Sequence, residues 1–292
     1  MGKVLMPVII ERSNMHGETR MADAPRNCDT ATADRAHSHL APPARHPRHP
    51  NREGGEAPSA ELLSWLAAES ERLETAAPEE VIAWAVEHYY PKLTMATAFG
   101  PEGCVILSML ARIEPRLYVF NLETGYQFAE TLELRDRIAE RYGIEVDLKR
   151  PEQSVAEWEA ANGGPVYEKD PDRCCFHRKI AILQRVAPRF DAWMSGIRRD
   201  QSPHRAGSPI VGWDRKFGLV KISPLANWTK GDVWKRITAE KVPYNPLHDR
   251  GYPSVGCWPC TRPVGLGDDE RAGRWSGKGK TECGLHTLDN RG

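Results

Sequence analysis

From residue 93 onward, short apolar runs alternate with stretches in which apolar side chains recur at helical spacing. Residues 93–97 read as a short buried strand, followed by the loop 98–103 and by Val105, Ile106, Met109, Leu110 and Ile113 on one helical face. Residues 117–120 are the next predicted strand and 121–125 a loop, and Phe128, Leu132, Leu134 and Ile138 mark a helix over about 126–142. A third strand is expected at 144–148; a segment holding two adjacent cysteines then leads into a helix with Ile180, Leu183 and Val186. A fourth strand at 191–195 precedes the loop 196–202, and 210–213 with 219–222 read as a hairpin. Upstream, Ser59 can cap a helix bearing Leu62, Leu63 and Leu66, and Pro78 with Glu79 and Glu80 opens a second. Thr229 can cap a last helix, after which the chain is mostly loop, dense in Pro and Gly. Strands alternating with helices of this length predict an α/β fold: a parallel sheet with helices on both faces and a loop-rich C-terminal segment. Ligands bind such sheets at the carboxyl ends of the strands, where the loops 98–103, 121–125 and 196–202 fall.

The 292 residues divide into three expected parts. Residues 1–55 are rich in Pro, Arg, His, Ala and Asp without apolar periodicity and read as a disordered extension; Cys28 within it is given no role. Residues 56–265 are the α/β domain, and 266–292 a mobile tail. Lys+Arg and Asp+Glu are both 40, so no global field directs the chain to nucleic acid or a membrane surface. No apolar run approaches the roughly 20 residues that span a bilayer. The apolar stretch at 4–10 is short and lacks a cleavage site, so no signal peptide is expected and the compartment is read as the cytoplasm. Seven cysteines, an odd number grouped in local pairs, favour metal or catalytic sulfur over a disulfide framework.

Cys174 and Cys175 are adjacent, and Cys257 and Cys260 form a Cys-x-x-Cys. Two such pairs can close a four-sulfur metal site, with zinc and iron–sulfur as the candidates. Zinc sites usually space their paired cysteines two to four residues apart, whereas a cluster offers separate iron corners to neighbouring thiolates, which favours a 4Fe–4S cluster. Lys179 would lie one helical turn from Cys175 if the pair opens the helix, close enough to offset thiolate charge; a solvated helix lysine has the same spacing. Cys283 stands alone among Thr281, Glu282 and Gly284, as an exposed candidate nucleophile. Upstream, Arg271, Arg274, Lys278 and Lys280 are interleaved with glycines, a composition that suits an oxyanion and equally a solvated tail. His286 is a candidate base or an ordinary surface histidine.

These motifs together resemble the assimilatory adenylylsulfate reductases, in the wider adenosine-phosphosulfate reductase group. The likeness rests on Cys174-Cys175, Cys257-x-x-Cys260, the run from Arg271 to Lys278 and Glu282-Cys-Gly-Leu-His286, with 122–125 and 196–202 agreeing with nucleotide-side loops; it extends from about Glu61 to His286. The resemblance implies an adenine nucleotide α-hydrolase-like fold. It assigns the ligands of a 4Fe–4S cluster to Cys174, Cys175, Cys257 and Cys260, and the nucleophile to Cys283. It assigns phosphosulfate-binding cations to Lys179, Arg198, Arg271 and Arg274, with Thr97, Leu122 and Gly196 on the nucleotide side. It further implies attack of Cys283 on adenylylsulfate, release of AMP, and reduction of the cysteine S-sulfonate to sulfite by thioredoxin in cysteine biosynthesis. Because the one Cys-x-x-Cys is assigned to metal, the thioredoxin is expected to be a separate protein; a homo-oligomer is left open. A 3′-phosphoadenylylsulfate reductase is the near alternative. A tRNA-modifying enzyme of the same fold is the remote one, since the Ser-Gly-Gly-x-Asp-Ser loop of that class is absent.

Overall fold

The computed structural model describes residues 57–265, 267–278, 280, 282, 284 and 285. The expected N-terminal extension, Cys283 and His286 lie outside the described residues. The first helix, α1 (Ala60–Arg72), starts where Ser59 accepts a hydrogen bond from the Leu62 amide at 3.1 Å. Pro78 opens α2 (Pro78–Tyr89). The buried carboxylate of Glu69 joins the two, accepting from Trp84 Nε1 at 2.7 Å and from Arg72 Nη2 at 2.6 Å.

The alternation that follows is β1 (Leu93–Ala96), α3 (Pro101–Ile113), β2 (Tyr118–Leu122), α4 (Ala129–Tyr142) and β3 (Val146–Lys149). After three short helices, α5 (Val155–Ala161), α6 (Val166–Lys169) and α7 (Pro171–Cys175), a π-helical turn (Phe176–Ile180) runs into α8 (Ala181–Val186). Then come β4 (Ala192–Met194), β5 (Val211–Asp214), β6 (Leu219–Ile222) and α9 (Lys230–Glu240), the last capped by Thr229 with Asp232 reciprocating. The six strands form one sheet in the order β3-β2-β1-β4-β6-β5, parallel except for the antiparallel edge strand β5.

Strand alternation puts a core on each face of this sheet. Leu93, Met95, Val119, Ala192, Met194, Val220 and Ile222 pack with apolar residues of α1, α2, α3, α4 and α9 in the larger core. Phe120, Leu122, Trp193 and Leu219, on the opposite face, pack with Ile182, Leu183 and Val186 of α8. The expected parallel sheet with helices on both faces is therefore present.

Two local differences bear on the site. Asn121 and Leu122, expected in a loop, are strand residues because β3 is long enough to pair with them, at Leu148 and Lys149. The cysteine pair does not open a helix but lies inside one, which runs unbroken from α7 through the π-helical turn into α8, and its start is fixed by Pro171 and by the Asp170 side chain accepting from the Arg173 amide at 2.9 Å. The π-helical turn then carries Lys179 past the position a regular turn would give it.

The end of β4 runs close against the start of α3. A Cβ on Gly196 would lie 2.9 Å from Cβ of Glu102 and 3.3 Å from the Gly103 amide nitrogen, nearer than side-chain carbons normally approach. Gly196→Ala should therefore force these elements apart, at about 1–3 kcal/mol. In a domain of this size each kcal/mol lowers Tm by about 2–4 °C. A melting temperature equal to that of the wild type would contradict the close approach.

Candidate functional site

The chain leaves β1 in one direction along the sheet and returns to β4 on the other side of it, so the strand order reverses between these two strands. A cleft of about 230 Å³ opens at their carboxyl ends, the place where reversal leaves loops diverging to either side. Thr97 after β1, Leu122 at the end of β2 and Gly196 after β4 line it, as do Gly100, Pro101, Glu102 and Gly103 at the start of α3. Asn121 donates from Nδ2 to the Thr97 carbonyl at 2.7 Å. Its Oδ1, and Oε1 of Gln127, are buried acceptors without a hydrogen-bond partner among the described residues, and both side chains belong to the cleft wall.

Four cations line the same cleft: Lys179, Arg205, Arg271 and Arg274. Three were expected from sequence; Arg205 was not, though it sits only three residues past the 196–202 loop. Arg198, expected among them, does not line the cleft. Its guanidinium is buried and directed at carboxylates, bonding Asp200 through Nε at 2.8 Å and Glu102 through Nη1. Arg198 thus neutralises Glu102 from behind the wall. Glu270, the other acidic residue lining the cleft, is paired with Lys230 at 2.8 Å. With both carboxylates engaged from outside, the field inside favours an anion. His248 also reaches the wall, and burial holds its imidazole below the ordinary histidine range.

Arg274 is seated by its surroundings. Nη1 donates to Ser254 Oγ at 3.2 Å, its guanidinium carbon lies 4.5 Å from the Trp275 ring centroid, and it presses on Gly256, where any Cβ would fall 2.3 Å from Nη2. Its backbone is fixed as well: Arg274 forms an antiparallel bridge with Thr261, and the Trp275 amide donates to the Cys260 carbonyl at 3.0 Å. The basic segment is therefore laid along the Cys-x-x-Cys loop. That loop is bridged on its other side to Gln127, with Trp258 N donating to the Tyr126 carbonyl at 2.8 Å.

Cys174, Cys175, Cys257 and Cys260 line a second, smaller pocket that shares Lys179, Arg274 and Cys257 with the cleft. Tyr126, Trp158, Val166 and Cys174 form an apolar cluster beneath it. Arg178, buried, ties the π-helical turn to the loop after β2, donating from Nε to the Thr124 carbonyl at 2.5 Å; Thr124 Oγ1 lies 3.3 Å from Cys257 Sγ. Burial pushes the Cys174 thiol up to about 12, and the nearby Cys175, Cys257 and Cys260 push in the same direction. Burial also raises Cys260, while Lys278, Lys179 and Arg274 pull it down. Among the described residues no three His, Cys, Asp or Glu side chains converge closely enough to hold a single ion. The four sulfurs are gathered around one pocket.

Tail residues on either side of position 283 are docked against the body. Glu282 is buried and takes hydrogen bonds from Arg205 Nε at 3.0 Å, Arg205 Nη2 at 2.9 Å and Arg271 Nη2 at 2.8 Å. The polar neighbours of Cys283 point to exposure in the sequence, yet this one is enclosed by two arginines. The signal that could have found it is a lone acid in a basic, glycine-rich segment.

Residues 92–263 match the model of the phosphoadenosine phosphosulfate reductase domain. The chain is 47% identical over 216 residues to the phosphoadenosine 5′-phosphosulfate reductase of Gloeobacter violaceus, spanning 73% of this chain and 90% of that protein. It is 46% identical over 208 residues to the adenosine 5′-phosphosulfate reductase of Halalkalibacterium halodurans, spanning 71% and 90%. Among solved structures, a phosphoadenylyl-sulfate reductase from Candida auris in a phosphate complex superposes with a TM-score of 0.62 at 31% identity, over 70% of this chain and 98% of that one. A strand-end cleft walled by arginines, a second pocket of four cysteines and this likeness over most of the described residues converge: the chain belongs to the phosphoadenosine phosphosulfate reductase domain family.

Proposed function

We propose that the protein reduces adenylylsulfate to sulfite and AMP, with Cys283 as the nucleophile and a separate thioredoxin as the reductant. The observation that carries this reading is the continuity of the two pockets. Cations suited to a phosphosulfate lie between the strand-end cleft and the cysteine site, and Lys179 and Arg274 border both. The name of the Halalkalibacterium halodurans relative supplies the substrate, as do those of two Bacillus subtilis proteins at 42% and 45% identity.

In this reading the nucleoside occupies the strand-end loops around Thr97, Leu122 and Gly196, where the acceptors of Asn121 and Gln127 can meet an amino or hydroxyl group. Lys179, Arg271 and Arg274 take the phosphosulfate, the arginines through planar forks that match its oxygens. The Cys283 thiolate attacks the sulfate sulfur; the S–O bond to the phosphate oxygen breaks, and its electron pair leaves with AMP. The cations stabilise the charge that develops on that oxygen. A thioredoxin dithiol then supplies two electrons, releasing sulfite, restoring the Cys283 thiol and forming the thioredoxin disulfide.

The donor set of the cysteine pocket supports a 4Fe–4S cluster in this reading. Its donors are four sulfurs lining one pocket, and a cluster gives each thiolate its own iron. Crowded thiols that raise one another's pKa need cationic partners to ionise together, and Lys179, Arg274 and Lys278 are at hand. When bound, the cluster would supply iron–thiolate bonds tying the end of α7 to the Cys257–Cys260 loop. The compartment we propose is the cytoplasm, and no helix of the described residues is long and apolar enough to cross a membrane.

Incubated anaerobically with adenylylsulfate and no reductant, the wild-type protein should gain one sulfonate in its intact mass, and Cys283→Ser none. An adduct formed only from the 3′-phosphorylated nucleotide would reassign the substrate; none from either, on iron-loaded protein, would overturn the reductase reading. Lys179→Ala should lower the rate of adduct formation by about 10²–10³-fold, the usual loss for one donor at a developing charge. Protein purified without oxygen should carry about four irons and four sulfides per chain. Cys257→Ser should lose both together, whereas wild-type protein holding zinc and no iron would exclude the cluster.

A further inference from the structure

Glu282 differs from every other acid at the cleft. Glu102 and Glu270 are neutralised by cations outside the cleft lining, whereas Glu282 engages Arg205 and Arg271, which line it. It also belongs to the tail, while Arg205 belongs to the body, so this ion pair joins the two. Both in-plane donors of the Arg205 edge, Nε and Nη2, are spent on one carboxylate. The bidentate geometry fixes the direction of approach as well as the distance.

The attachment continues past position 283. Lys216 Nζ donates to the Gly284 carbonyl, and Leu285 packs against the apolar cluster that contains Ile180 and Phe217. Gly284 itself lies so close to Ile180 that an added Cβ would fall 2.6 Å from Cδ1. Residues on both sides of Cys283 are thus held by groups of the body, an ion pair before it and a hydrogen bond with apolar contact after it. A buried ion pair adds little net stability over apolar side chains of the same volume, so a carboxylate enclosed at this point calls for a role in geometry.

We infer that Glu282 is a positioning residue, whose clamping by Arg205 and Arg271 holds the Cys283 segment at the cleft for attack on the substrate. The inference rests on the reductase reading and adds to it a residue that does not touch the substrate. It makes a distinctive demand on kinetics. Replacing Glu282 by the neutral isostere removes the carboxylate charge that Arg205 and Arg271 now hold at the cleft, so nucleotide affinity should hold or rise while the rate of sulfur transfer falls. A merely structural defect would lower both.

The test is single-turnover S-sulfonate formation, followed by intact mass in the cluster-loaded protein, with AMP affinity and Tm measured alongside. Glu282→Gln should slow adduct formation by about 10–100-fold, the scale set by misplacing a reacting group by about an ångström. AMP should bind at least as tightly as to wild type, and Glu282→Asp, which keeps the charge, should recover at least part of the rate. A wild-type rate in Glu282→Gln would overturn the inference alone. So would loss of AMP affinity in step with the rate, or an Asp variant as slow as the Gln variant. Absence of any adduct in the wild type would instead overturn the reductase reading beneath it.

Discussion

The site depends on the backbone pairing of one loop. The Cys257–Cys260 loop is bridged to Gln127 on one side and, through Thr261, to Arg274 on the other. The first bridge places two sulfurs beside the end of β2; the second lays the basic segment against them. Sulfur pocket and cation-lined cleft are consequently two sides of one structure, and disturbing the loop would move both. Gly256 shows how tightly they are matched, since the Arg274 guanidinium occupies the space a side chain there would need.

Charge in this region is arranged by depth. Arg198 and Lys230 hold the cleft's own carboxylates from behind, Arg205 and Arg271 hold the tail's, and Lys179 and Arg274 face both pockets. Burial removes solvent screening from the Arg198 and Arg205 pairs, so each has a larger effect on its neighbours than it would at the surface. The same low polarity raises the Cys174 thiol and makes the cations near Cys260 consequential.

Much of this was legible in the chain because the determinants are local. Short apolar runs and helical spacing located all six strands and the main helices, and the caps at Ser59 and Thr229 act as their side chains suggest. The two cysteine pairs, whose spacing is short, appear around one pocket. What escaped depends on long-range contact. Arg198 and Arg205 sit seven residues apart with similar chemistry, and only the tertiary neighbours, Glu102 for one and Glu282 for the other, decide which lines the cleft. The π-helical turn after Cys175 leaves no mark in apolar spacing, and Asn121 reads as a loop residue until β3 is there to pair with it.

The anionic end of the substrate is proposed to lie between the basic segment and the cysteine loop. A crystal structure of the cluster-loaded Cys283→Ser protein with adenylylsulfate tests it directly. Phosphosulfate oxygens should lie within hydrogen-bond distance of Lys179, Arg271 and Arg274, with the nucleoside over the ends of β1 and β4. A phosphosulfate seated instead at the start of α3, beside Gly100 and Glu102 and away from the sulfur pocket, would contradict it.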